Sequence, residues 1–281
     1  MDAKIVRDVI DRHFGGLVDN IKIIEYTLSR LTAAEKEMMG LSGESYTEVL
    51  LSNGINVNCV HITIATAKNG ERIIIIESLE NCNTEERITN TKEVINKLKD
   101  VAEELEVKSI TLADLSRKTI CDKEIDLAVY YILRNGISWY NSLEFVSDNF
   151  KQEQEDNEVI RNKTLGEYKD ALKKKCEKER DRKCLEKLNP DGEFWKKYRN
   201  MELKDFVAEI WDGHTNHCEH IDVIFHLCNL LIDEINYNIE LKYKVPEKTS
   251  KKGGRKNRSK KMKKTRKNQK TRARKTTRFF S

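Results

Sequence analysis

The chain has 281 residues, enough for one large domain or two small ones, and only two prolines and 12 glycines interrupt it, so long helices are tolerated. Its net charge of +5 hides a split: residues 247–281 carry 17 Lys/Arg against one acid, whereas residues 1–246 carry 35 against 46. An acidic body of −11 thus bears a tail of +16, and no apolar run approaches the ~18 residues needed to cross a membrane.

Met1-Asp2-Ala3-Lys4 runs straight into an amphipathic pattern, unlike a secretory leader. The seven cysteines (Cys59, Cys82, Cys121, Cys176, Cys184, Cys218, Cys228) form no CxxC pair and are odd in number. These features predict free thiols in a reducing, intracellular compartment.

Residues 2–14 read as a short helix with Ile5, Val6, Val9, Ile10 and Phe14 as its stripe, ended by Gly15-Gly16. Residues 21–31 read as a strand, 32–40 as a capped helical turn and 46–51 as a weak strand. Lys68-Asn69-Gly70 between the β-branched runs 57–66 and 71–79 is a hairpin signal. The unbroken isoleucines Ile73 to Ile76 predict a strand covered on both faces. Residues 90–105 read as a helix with Asn90 and Glu93 as a variant capping box, and 109–115 as a further buried strand.

Residues 125–143 form the most apolar helical stripe, from Ile125 through Ala128, Val129, Ile132, Gly136, Trp139 and Tyr140 to Leu143. This segment is expected at the centre of the core, with Asp122 as N-cap, and the Asn135-Gly136 step weakens it midway or breaks it into two helices. Residues 145–147 start a last short strand. Residues 151–188 are charged and helical, and amphipathic helix resumes over 193–198, 203–211 and 221–239. The expected architecture is an α/β (α+β) domain over 1–149 with a mixed sheet and packed helices, a helical extension over 150–245 that either caps the α/β core or offers a surface to a protein partner, and a disordered basic tail over 246–281.

The segment from Arg72 to Phe145 resembles the central part of the GNAT acetyltransferase fold, where a long hairpin leads into a strand, a helix, a strand and a helix ending in a motif like (F/L)YxxLGF. Trp139-Tyr140-Asn141-Ser142-Leu143-Glu144-Phe145 matches that ending except at the glycine. The resemblance implies that Tyr140 stands where many members keep the tyrosine that protonates the leaving coenzyme A thiolate. It also implies acetyl-CoA as cofactor, with its pyrophosphate on the backbone of a glycine-bearing turn at a helix N-terminus. The corresponding residues, Asn81 to Thr91, hold no glycine, and Glu85 and Glu86 would repel a pyrophosphate. The expectation is therefore a GNAT-like scaffold without the cofactor, with an acyl-CoA-dependent N-acetyltransferase as the alternative. The Ser138 to Leu143 stretch and the basic tail also resemble uncharacterised proteins of large DNA viruses, which implies a viral origin in host cytoplasm, nucleus or virion.

His214, His217, Cys218 and His220, with His226 and Cys228 downstream, fit no recognised zinc spacing, so no metal site is expected there. Cys176 and Cys184, eight apart in a charged helix, read as surface thiols, and Cys121 as a thiol near a helix N-terminus, where its pKa would be lowered. No P-loop, GxSxG or HExxH motif is present. The tail is the strongest functional signal. Lys251, Lys252, Arg255, Lys256, Arg258, Lys260, Lys261, Lys263, Lys264, Arg266, Lys267, Lys270, Arg272, Arg274, Lys275 and Arg278 suit non-specific contacts to nucleic-acid phosphates.

Overall fold

The computed structural model describes residues 2–18, 20–28, 41–52, 58–79, 91–212 and 217–246. The helical turn expected over 32–40, residues 81–90 of the 81–91 segment matched to the cofactor turn, and residues 247–281 of the basic tail lie outside the described residues. One compact unit spans Met1–Val245.

Helix α1 (Ala3–Phe14) starts at Asp2, whose side chain accepts from Lys4 N at 2.8 Å, and buries Val6, Val9, Ile10 and Phe14. Strands β1 (Asn20–Thr27), β2 (Leu41–Ser52), β3 (Asn58–Ala67) and β4 (Arg72–Leu79) follow as an antiparallel meander. Between β3 and β4, Gly70 takes the left-handed conformation (φ +81°) that the Asn69-Gly70 turn requires. Helix α2 (Thr91–Glu104) then crosses over, so β5 (Ser109–Ala113) pairs parallel to β4, as a helical crossover permits. Val94, Ile95, Leu98, Val101 and Ala102 on α2 join the stripe of α1 over one face of the sheet.

That sheet has the order β1-β2-β3-β4-β5-β8, its last strand being β8 (Glu240–Lys244), antiparallel to β5. β8 is a correction to the wholly helical reading of 150–245. Its ELKYK sequence is charged at alternate positions, and only Leu241 and Tyr243 point into the core. The isoleucine run of β4 is also corrected. Ile74 and Ile76 are buried beneath the helices, but Ile73 and Ile75 on the other face stay only half-buried.

After β5 comes a hairpin absent from the sequence reading, β6 (Arg117–Ile120) and β7 (Lys123–Asp126). Helix α3 is Leu127–Asn135, shorter than the 125–143 stretch. Its N-cap is Asp126, not Asp122: the Asp126 carboxylate accepts from Val129 N at 2.9 Å, while Asp122 sits left-handed in the hairpin turn. Gly136 ends the helix at φ +83°, its N–H bonded to Ile132 O.

The remaining helices are α4 (Phe150–Arg161), α5 (Lys169–Lys178), α6 (Arg182–Lys187), α7 (Glu193–Tyr198), α8 (Leu203–Asp212) and α9 (Ile221–Leu231). They form a second hydrophobic core together with α3, whose Val129, Tyr130, Ile132 and Leu133 are buried there rather than under the sheet. The apolar helix is central, but to the helical layer. Arg161 ties α4 to it: its guanidinium donates to the carbonyls of Leu133 and Arg134 at 2.9 Å and pairs with Glu158.

Candidate functional site

The parallel strands β4 and β5 line a concavity. Their pairing stops at Ile76↔Leu112, although β4 continues to Leu79. A cleft of about 790 Å³ lies along these strands, on the face of the sheet opposite α1 and α2. Ile73, Ile75 and Glu77 of β4, Thr111 and Ala113 of β5, and Glu240 and Lys242 of β8 line it with Val146, Ser147, Asp148 and Asn238. Val146 and Lys242 bridge reciprocally at 3.0 Å, so the chain entering the helical layer and the strand leaving it meet at this wall. Three lining carboxylates face one lysine, so the cleft favours a cationic group over an anionic one.

Behind the cleft wall lies Asp114, which the sequence reading missed. It is 1% exposed; its backbone N–H donates to Ile239 O, and Oδ1 accepts from Ser116 Oγ at 2.7 Å. Oδ2 has no hydrogen-bond partner. Burial pushes its carboxyl above the ordinary range, against hydrogen bonds from Ser116 and Ser138 that hold it down. No local pattern marks it, because its partners lie in three loops; only its position just past a parallel strand is a sequence clue.

Tyr140 stands near it. Burial, aided by the Asp114 charge, pushes the phenol up to about 12, so Tyr140 keeps its proton at neutral pH. The ring packs edge-on against Trp139 and Phe145 beside the sheet core and is not among the residues lining the cleft. The turn that holds it is knotted by Asn141, which accepts from Ser138 N at 2.9 Å and donates to Phe145 O at 2.8 Å. Glu144, at the glycine of the resembled motif, is left-handed (φ +68°). Lys99 secures it, donating to Leu143 O and to Glu144 Oε2, each at 2.8 Å, with its ammonium 4.2 Å from the centre of the Tyr243 ring.

The raised Asp114 pKa carries a sign. A carboxyl held above its unfolded value binds its proton more tightly in the folded state, so its stability contribution is full at acid pH and declines as pH rises through the folded pKa. Asp114→Asn should therefore raise stability at pH 7 by about 1 kcal/mol, or roughly 2–4 °C, and leave it unchanged near pH 4. Thermal melts at the two pH values check this; an equal shift at both would remove the carboxylate as its cause.

The cysteines depart from the expectation of free thiols. Cys121 bonds Cys218 and Cys176 bonds Cys184, with Cα–Cα separations of 5.4 and 6.0 Å, and Cys59 is disulfide-bonded too. Cys121 is therefore not an activated thiol, and Cys176 and Cys184, both 0% exposed, are not surface groups. Cys228 is the free cysteine among the described residues, and burial raises its thiol. Of the histidine cluster, His214 lies outside the described residues; His220 is buried against Phe194 and Tyr198, and burial lowers its pKa.

No family model matches the chain, and no curated protein was found to be similar to it.

Proposed function

We propose that the protein is a GNAT-like interaction protein, without acetyltransferase activity, that holds nucleic acid non-specifically through its basic tail. The observation that carries this reading is the charge split: +16 within 35 residues, attached to a body of −11. Solubility does not require such segregation, whereas phosphate binding by counterion release does reward it. The GNAT likeness is supported by the order β4, α2, β5 with parallel β4 and β5, followed by α3 after the β6–β7 hairpin, and by the left-handed Glu144 where the motif has glycine. The likeness to proteins of large DNA viruses suggests a virion or host-nuclear setting, and the helical layer offers a surface to a protein partner. The test is DNA retention on filters by the full chain and by residues 1–246 over a salt series.

A second reading, an acyl-CoA-dependent N-acetyltransferase, is favoured by one observation. The notch between β4 and β5 exposes strand edge able to pair with an extended amide-bearing ligand, beside a cleft whose carboxylates suit an amine. Tyr140 keeps its proton, as a general acid must. Calorimetric titration of acetyl-CoA into the full chain separates the two readings. We expect no micromolar binding. Binding accompanied by acetyl transfer that falls about 10²–10⁴-fold in Tyr140→Phe would establish the enzyme instead.

A further inference from the structure

Cys176 lies near the end of α5, Cys184 in α6 and His226 on α9, and all three are 0% exposed. Arg180, left-handed at φ +56°, reverses the chain between α5 and α6. Asp181 then caps α6 by accepting from Cys184 N at 3.1 Å. The turn brings both sulfurs against the imidazole: one donor atom from each of the three residues lies within 4.8 Å of the other two.

The histidine is presented for more than packing. Its Nε2 meets Asp181 Oδ2 at 3.0 Å, and Lys123 Nζ holds the same oxygen at 3.0 Å. The other Asp181 oxygen accepts from Cys184 N, so the carboxylate is fixed in place behind the ring. A carboxylate on Nε2 keeps the ring proton there and leaves the lone pair on Nδ1. That nitrogen is buried without a hydrogen-bond partner. Glu179 Oε2 stands 3.7 Å from it, beyond hydrogen-bond reach. A carboxylate held on one nitrogen of an imidazole, with two sulfurs beside the ring, is how a ligand histidine is oriented toward a metal.

We propose that Cys176, Cys184 and His226 Nδ1, with Glu179 completing the set, bind Zn²⁺ in the reduced protein, and that the Cys176–Cys184 disulfide is the oxidised, metal-free form of the same site. Two thiolates, an imidazole and a carboxylate are a zinc donor set. Tetrahedral bonds of about 2.0–2.3 Å separate ligand atoms by roughly 3.3–3.8 Å, so the Glu179–His226 distance already fits, while the sulfurs must part from each other and the Glu179 carboxylate must close on them. In reduction, a dithiol gives two electrons and two protons; the S–S bond breaks into two thiols and the reductant leaves as its own disulfide. Zn²⁺ then displaces both thiol protons as two Zn–S bonds form. A disulfide-class oxidant reverses this: the thiolates lose two electrons, the S–S bond re-forms and Zn²⁺ leaves. The metal would tie α5, α6 and α9 together in the reduced protein, as the disulfide ties α5 to α6 in the oxidised one. This proposal does not depend on the reading of the tail or the cleft.

The test uses the full chain, reduced with a phosphine, equilibrated with Zn²⁺ and freed of excess metal, with zinc counted by plasma mass spectrometry. About one zinc per chain is expected after reduction, and almost none after oxidation with diamide. The double variant C176S/C184S should lose the zinc, while Cys228→Ser retains it. Co²⁺ should give a thiolate-to-metal charge-transfer band in the wild type and not in the double variant. Should the double variant fail to fold, maleimide labelling of the reduced wild type with peptide mapping still decides: Zn²⁺ should shield Cys176 and Cys184. Zinc-free reduced protein, equal zinc in a folded double variant, or both cysteines labelled despite bound zinc would each overturn the proposal.

Discussion

Deleting residues 247–281 will abolish DNA binding at low salt, because the charge of the chain falls from +5 to −11 and the remaining body repels phosphate. For the full chain, about half of the 17 tail cations touching phosphate at once gives a slope of log affinity against log salt of roughly −7 to −8. Between 50 and 200 mM salt the affinity should drop about 10⁴–10⁵-fold. Random and defined duplexes should bind alike, since no described element has the form of a base-reading module. Thr249, Ser250, Ser259, Thr265, Thr271, Thr276 and Thr277 are interspersed with the cations. Each phosphate added there subtracts about 1.5–2 charges and should weaken binding stepwise. An import signal behaves differently: one short basic cluster suffices, and the purified chain binds DNA only weakly at physiological salt. Equal retention of both constructs, or of neither at low salt, removes the tail as a nucleic-acid anchor.

Ile132→Ala should cost about 2–5 kcal/mol. Ile132 is 1% exposed within the core of the helical layer, and its removal leaves a cavity there. The transition midpoint should fall by roughly 4–20 °C at about 2–4 °C per kcal/mol. Leu115→Ala, at a side chain 67% exposed, is the matched control and should move it by less than about 2 °C. A similar shift in both would mean that α3 is not the packed element described.

Much of the fold was legible because local rules governed it. The Asn69-Gly70 hairpin, the stripes of α1 and α2 and the helix over 193–198 follow turn chemistry and periodicity alone. Misreadings occurred where a distant partner decides. β8 is a strand only because β5 offers an edge, whereas the stop of α3 at Gly136 follows the local Asn135-Gly136 signal. The stretch 151–188 reads as charged and poor in large apolar residues, yet Leu165, Leu172 and Leu188 are buried in it, because long lysines keep their heads in water while shorter apolar groups fill the interior. Tyr140 could be named from a motif, but Asp114 could not, since its burial and orphaned oxygen depend on Ser116, Ser138 and Ile239 meeting in space.

The position of β8 sets the order in which the sheet can be completed. Strands β1 to β5 have their partners within the first 113 residues, but the outer edge of β5 waits for residues 240–244, more than 120 positions later. Closing so long a loop before any pairing energy is recovered is entropically costly and slow. Prior assembly of the helical layer shortens that search, because it holds Val146 and the approach to Lys242 side by side. Until then a newly made chain presents the bare N–H and C=O groups of β5, an edge on which a second copy can pair. The last described strand therefore acts as a closure, and variants that slow the packing of α3 to α9 should lengthen the time during which this protein is prone to aggregate.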